Sequence, residues 1–179
     1  MTERLQILPY DPRWVLDFES ERHRIARALG ALARRIDHHG STAVPGLEAK
    51  PIIDIQVSVA QLQPLVAYAD PLATLGYVHL PHADDAVCPF FHRPGGWPHS
   101  HHVHVVQAGG PEERLTLAFR DFLREHPEVA RDYATLKKQL ATITNAADPS
   151  SREAYADAKS EFIGRVVQMA LAAGYPRGL

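Results

Sequence analysis

Two adjoining stretches decide how the chain folds: His38-His39-Gly40-Ser41-Thr42-Ala43-Val44-Pro45-Gly46-Leu47 and Pro51-Ile52-Ile53-Asp54-Ile55-Gln56-Val57-Ser58-Val59. The second is a β-branched apolar run, the composition of a strand buried on one or both faces. Side chains alternate across a strand, so Asp54, Gln56 and Ser58 share one face and Ile53, Ile55, Val57 and Val59 the other. The first stretch closes a short strand over 35–39 and opens a loop of small residues at Gly40-Ser41. Such a loop presents backbone N–H groups and hydroxyls suited to an anion. Taken alone, it reads better as a tight turn that needs glycine for backbone freedom. Asp54 shifts that balance, because an ionised carboxylate in an apolar strand is costly unless it is paired, hydrogen-bonded or metal-bound. Lys50 is the nearby structural partner to weigh against a functional role.

Working outward, Asp11-Pro12 supplies a helix start, with Trp14, Phe18, Ile25, Leu29 and Leu32 at helical spacing after it, and predicts a helix over 12–33. A second helix is expected over 61–75, with Pro64 near its first turn, Pro71 placed to kink or divide it and Gly76 as its stop. Three strands are expected over 77–80, 89–93 and 101–106, with Asp84-Asp85 and Gly95-Gly96 at the turns. From Pro111 the pattern is helical, in three segments over 111–125, 127–144 and 150–173. The expected fold class is α+β: a small mixed β-sheet with flanking helices and a C-terminal three-helix segment. We expect one domain over 1–179, with a sheet-containing core at 1–110 and a helical part at 111–179.

Composition removes several function classes. With 179 residues, 45% hydrophobic and 22% charged, the chain is an ordinary globular one rather than disordered, collagen-like or coiled-coil. Nineteen basic against twenty-one acidic residues leave a net charge of −2, so no field draws a nucleic-acid polymer or an anionic membrane. Cys88 is the only cysteine, which excludes an intrachain disulfide and a CxxC metal site. Met1-Thr2-Glu3-Arg4-Leu5 runs into Pro9-Tyr10-Asp11-Pro12 without an apolar signal core. No apolar run approaches the ~20 residues that span a bilayer. A cytoplasmic location is expected.

Histidine marks where the chemistry should lie. Nine of the eleven histidines fall between His38 and His104, while the stretch from Ile36 to Glu113 holds two Lys/Arg, Lys50 and Arg93. On a strand His102 and His104 point to one side, and two imidazoles so placed suit one divalent metal with a carboxylate from a neighbouring strand. The alternative is that both imidazoles bond Asp54 and its neighbours with no metal. His101 faces the other way as a hydrogen-bonded packing residue, and His99 is expected to face solvent. Tyr133 with Lys137 and Tyr155 with Lys159 stack at i,i+4. Each reads first as a lysine stem over an aromatic ring, and otherwise as a phenol and ammonium presented to an anion.

These stretches, with Ala49-Lys50-Pro51-Ile52-Ile53-Asp54-Ile55, His102-Val103-His104-Val105-Val106 and Phe122-Leu123-Arg124, resemble the GrpB family over about residues 5 to 165. The resemblance implies a nucleotidyltransferase-like fold. In that superfamily a Gly-Ser turn precedes a strand with two alternating acidic residues, a later strand adds a third, and the carboxylates hold divalent metals. Gly40-Ser41 and Asp54 match the first elements. The second acidic position is Gln56, a poor Mg²⁺ ligand, and the later strand offers His102 and His104. The expectation is therefore a protein binding a phosphorylated small molecule or nucleotide. Gly40, Ser41, Thr42, Lys50, Tyr155 and Lys159 would contact that ligand, and Asp54 would be the catalytic residue. Asp54, His102, His104 and His38 would hold a divalent metal (Mg²⁺, Mn²⁺ or Zn²⁺). The competing readings are a non-catalytic metal- or ligand-binding regulatory module and a metal-dependent hydrolase using an Asp/His site.

Overall fold

The computed structural model describes residues 4–178. Its strands are β1 (Ala33–His39), β2 (Ile53–Val59), β3 (Val78–His79), β4 (Phe90–Arg93) and β5 (His101–Gln107). They form one mixed sheet in the order β1-β2-β5-β4-β3, in which β2 and β5 are parallel and the other neighbours antiparallel. The helices are α1 (Arg13–Leu29), α2 (Val66–Thr74), α3 (Pro111–Glu125), α4 (Pro127–Ile143), α5 (Pro149–Asp157) and α6 (Ser160–Ala172).

The apolar face of β2 sets the architecture. Ile53, Ile55, Val57 and Val59 join Val103 and Val105 of β5 in a core closed by Trp14, Phe18, Ile25 and Leu29 of α1 and by Tyr68 and Leu72 of α2. Each such aliphatic side chain contributes about 1.5–3 kcal/mol when fully buried. The α1 stripe exists because those four residues recur at helical spacing, and the Asp11 carboxylate fixes where the helix begins by accepting the Arg13 N–H at 2.9 Å. Glu21 lies in the same stripe, buried among apolar neighbours.

The opposite face, which carries Asp54, is roofed by the C-terminal helices. α3 packs on β5 and β1, and α6 packs on α3. A second core of Val44, Leu47, Phe122, Leu123, Tyr133 and Val166 joins the loop after β1 to this helical layer. Leu8 and Ala49 exchange backbone hydrogen bonds of 2.8 and 3.0 Å, which strap the N-terminal segment to the loop before β2. A cleft remains between sheet and helices.

Three helical segments differ from expectation by more than two residues or by a break. α1 stops at Leu29 and a 3₁₀ turn carries the chain to Leu32. α2 begins at Val66 and runs undivided through Pro71. The third C-terminal helix is interrupted at Ala158-Lys159, where Lys159 N–H tightens onto the Ala156 carbonyl at 3.2 Å. Neither glycine nor proline marks that break, so periodicity runs across it. Among the described residues no helix is long and apolar enough to cross a membrane.

Candidate functional site

Register brings the chemistry together. Asp54 on β2 lies opposite His102 on the parallel strand β5 and opposite His39 on the antiparallel strand β1. Gln56 lies opposite His104. Paired residues point to the same face, so Asp54, His102, His104 and His39 converge on the side of the sheet away from α1. Ligand atoms of Asp54, His102 and His104 lie within 4.8 Å of one another. His102 Nδ1 is 3.1 Å from Asp54 Oδ1, and its Nε2 is 3.1 Å from His99 Nδ1. His99 stacks on His92 with ring centroids 4.1 Å apart. The expectation that His99 faces solvent therefore fails: the strand end folds it against its histidine neighbours, where it is half-buried.

Gly40 makes room for the carboxylate. It adopts φ +68°, and a Cβ there would fall 2.9 Å from Asp54 Cβ and also collide with Asp54 Oδ2. The Gly40-Ser41 turn and Asp54 are thus in direct contact, which only a residue without a side chain permits.

The cleft beside this centre has a volume of about 760 Å³ and is lined by Gly40, Ser41, Thr42, Lys50, Asp54, His102, His104, Tyr155 and Lys159, together with His39, Tyr133 and Lys137. His38 is absent from it. His38 lies opposite Ile55, stacks on Phe18 of α1 at 4.7 Å and bonds Thr42 Oγ1 at 2.9 Å. Alternation along β1 puts His39, and not His38, beside the proposed ligands. Thr42 is a wall residue whose hydroxyl is already engaged, since it also donates to the Ile52 carbonyl at 3.3 Å. His101 takes the packing role expected of it, on the α1 face, with Nδ1 3.0 Å from Arg93 Nη2.

The lysines form the other wall. Lys50 and Lys159 both sit over the Tyr155 ring, at 4.9 and 4.5 Å from its centroid. Lys137 lies 4.8 Å from the Tyr133 centroid and donates to Ser41 Oγ at 2.9 Å and to the Glu48 carbonyl. In each Tyr-x-x-x-Lys pair the ammonium group itself lies over the ring, and both lysines line the cleft. The signal for Lys137 was therefore present in the sequence but indistinguishable from packing.

Electrostatics follow from this crowding. Burial, reinforced by Lys159, pushes the Lys137 ammonium down to about 7. Burial with Lys50 nearby brings Lys159 to about 8. Burial also lowers Lys50. Burial opposes ionisation of Asp54, but the His102 hydrogen bond and charge outweigh it and hold the carboxyl well below the usual range. Burial drives His104 down to about 3, so it stands neutral at pH 7, the form that ligates a metal. Among the described residues, the Tyr155 hydroxyl, His39 Nε2 and both amide atoms of Gln56 are buried without hydrogen-bond partners. Lysines with lowered pKa values and two of these unpaired groups, on Tyr155 and His39, thus surround one cavity.

A family model described as GrpB protein matches residues 4–169. The chain belongs to the GrpB family. A GrpB relative, UPF0157 protein PA4798 of Pseudomonas aeruginosa, is 40% identical over 174 residues, covering 96% of this chain and 69% of its own length. YqkA of Bacillus subtilis is 35% identical over 89% of this chain, which spans 45% of that protein. The crystal structure of GrpB from Enterococcus faecalis matches with a TM-score of 0.81 at 35% identity, covering 94% of this chain and 98% of that one. A crystal structure of the Cid1 poly(U) polymerase with MgGTP bound matches with a TM-score of 0.52 at 14% identity, over 79% of this chain and 46% of that one. That likeness shows the fold alone: this GrpB chain has a nucleotidyltransferase-like architecture.

Proposed function

We propose that this GrpB chain binds a nucleotide or related phosphorylated small molecule in the cleft between sheet and helices, with the help of one divalent metal. The observation that carries the reading is the convergence of Asp54, His102 and His104 on one point of a cleft whose other wall holds Lys50, Lys137 and Lys159. One carboxylate oxygen with two imidazole nitrogens suits Zn²⁺ or Mn²⁺ better than Mg²⁺, which prefers oxygen. When bound, the metal would act as a Lewis acid toward a phosphoryl oxygen. The lysines and the Gly40-Ser41 turn would hold phosphate charge, and Tyr155 would donate its unpaired hydroxyl. Asp54 would be the catalytic residue if group transfer takes place.

A non-catalytic binding module is the second reading. It is favoured by Gln56, which stands where the superfamily pattern has a second carboxylate and offers only a neutral amide. Turnover separates the two: pyrophosphate release from a nucleoside triphosphate, abolished in Asp54→Asn, favours the enzyme. The shared claim is tested by calorimetric titration of ATP with and without Mn²⁺. Binding that strengthens with metal, and loses that gain in Asp54→Ala, is expected. Absence of ATP binding under both conditions overturns it.

A further inference from the structure

Gly164 occupies the fifth position of α6, inside the helix. Glycine weakens a helix interior relative to alanine, so its presence there calls for a cause. Two ordinary causes are excluded. Its φ is not positive, so no left-handed conformation requires it. A Cβ built on it meets nothing within 4 Å among the described residues, so no close helix packing requires it either. What remains is open space beside an exposed position of α6 that lines the cleft. Its neighbours in the cleft lining are Ile163 and Val167 of α6 with Leu115 and Phe119 of α3, interleaved with Glu112, Thr116, Ser160 and Gln168. The cleft thus has two unlike halves: one of lysines, Asp54 and histidines, the other mixing apolar with polar side chains and left open at Gly164.

We infer that Gly164 determines ligand specificity: it admits a planar ring with polar edges against α3 and α6 while the anionic end of the same ligand engages the lysines. The inference rests on the anion-binding reading above and narrows it to ligands with a phosphorylated end and a ring, excluding simple polyphosphates. A leucine at 164 projects into the empty half, clashes with the ring body and leaves the lysine wall untouched.

The test compares ATP with inorganic tripolyphosphate, by calorimetry on wild type, Gly164→Ala and Gly164→Leu, with thermal melting to confirm folding. Wild type is expected to bind ATP at least about tenfold more tightly than tripolyphosphate, a margin of ~1.4 kcal/mol. Gly164→Leu should remove that margin with tripolyphosphate binding unchanged, and Gly164→Ala should melt higher while retaining most of it. Equal ATP affinity in wild type and a folded Gly164→Leu overturns the inference, as does tripolyphosphate binding as tightly as ATP to wild type. If neither compound binds wild type, the anion-binding reading itself fails and takes this one with it.

Discussion

Gly40 and Asp54 contest the same volume. The positive φ of Gly40 costs an L-residue roughly 1–2 kcal/mol, and the contact with Asp54 adds to that, since a methyl group would sit 3.0 Å from Asp54 Cγ. Gly40→Ala is therefore expected to lower stability by about 1–3 kcal/mol and to displace the carboxylate. Chemical denaturation checks the first effect, and loss of the metal-dependent gain in ATP affinity checks the second. A Gly40→Ala protein with wild-type stability and wild-type affinity would refute the contact. The need for glycine at this turn was legible in its composition. That the turn lies beside a carboxylate fourteen positions away was implied only by the family resemblance, because spacing along the chain does not reveal what a positive φ points at.

At the level of elements, alternation along β2 and β5 placed Asp54, His102 and His104 correctly because both strands are regular and seven residues long. β1 was harder. Its adjacent His38 and His39 fall on opposite faces, and only the antiparallel register with β2 says which one meets Asp54. α1 holds a similar ambiguity at Glu21, an acidic residue within the buried stripe of the helix. The structure buries it with the Arg93 guanidinium at 2.8 Å and the Tyr77 hydroxyl at 3.1 Å. Glu21 thereby ties α1 to β4 and to the segment entering β3. Glu21→Ala leaves Arg93 with its charge uncompensated and is expected to cost about 3–5 kcal/mol, measured by urea denaturation. Burial opposes ionisation of Glu21, but Arg93 outweighs it and lowers the carboxyl below 4.5. The stabilisation is thus fully present above the unfolded value and lost as pH falls through the folded one. Wild-type stability should drop below pH 4.5 more steeply than that of Glu21→Gln, and parallel profiles would contradict the pairing.

For the molecule as a whole, the fold class was readable because the β2 stretch is strongly apolar and the last third is strongly helical. The cleft was not, since it exists only where the helical layer closes over the polar face of the sheet. Lys137 and Lys159 come from that layer, Lys50 from the loop before β2, and no local pattern relates them. Their joint position opposite Asp54, His102 and His104 is the central claim. Its most direct test is titration of metal-free protein with Mn²⁺, followed by electron paramagnetic resonance, in wild type, Asp54→Ala and His102→Ala. One bound equivalent in wild type, lost in both variants while their folds persist, is predicted. Wild type that takes up no metal, or variants that bind it as well as wild type, would show that these histidines are scaffold.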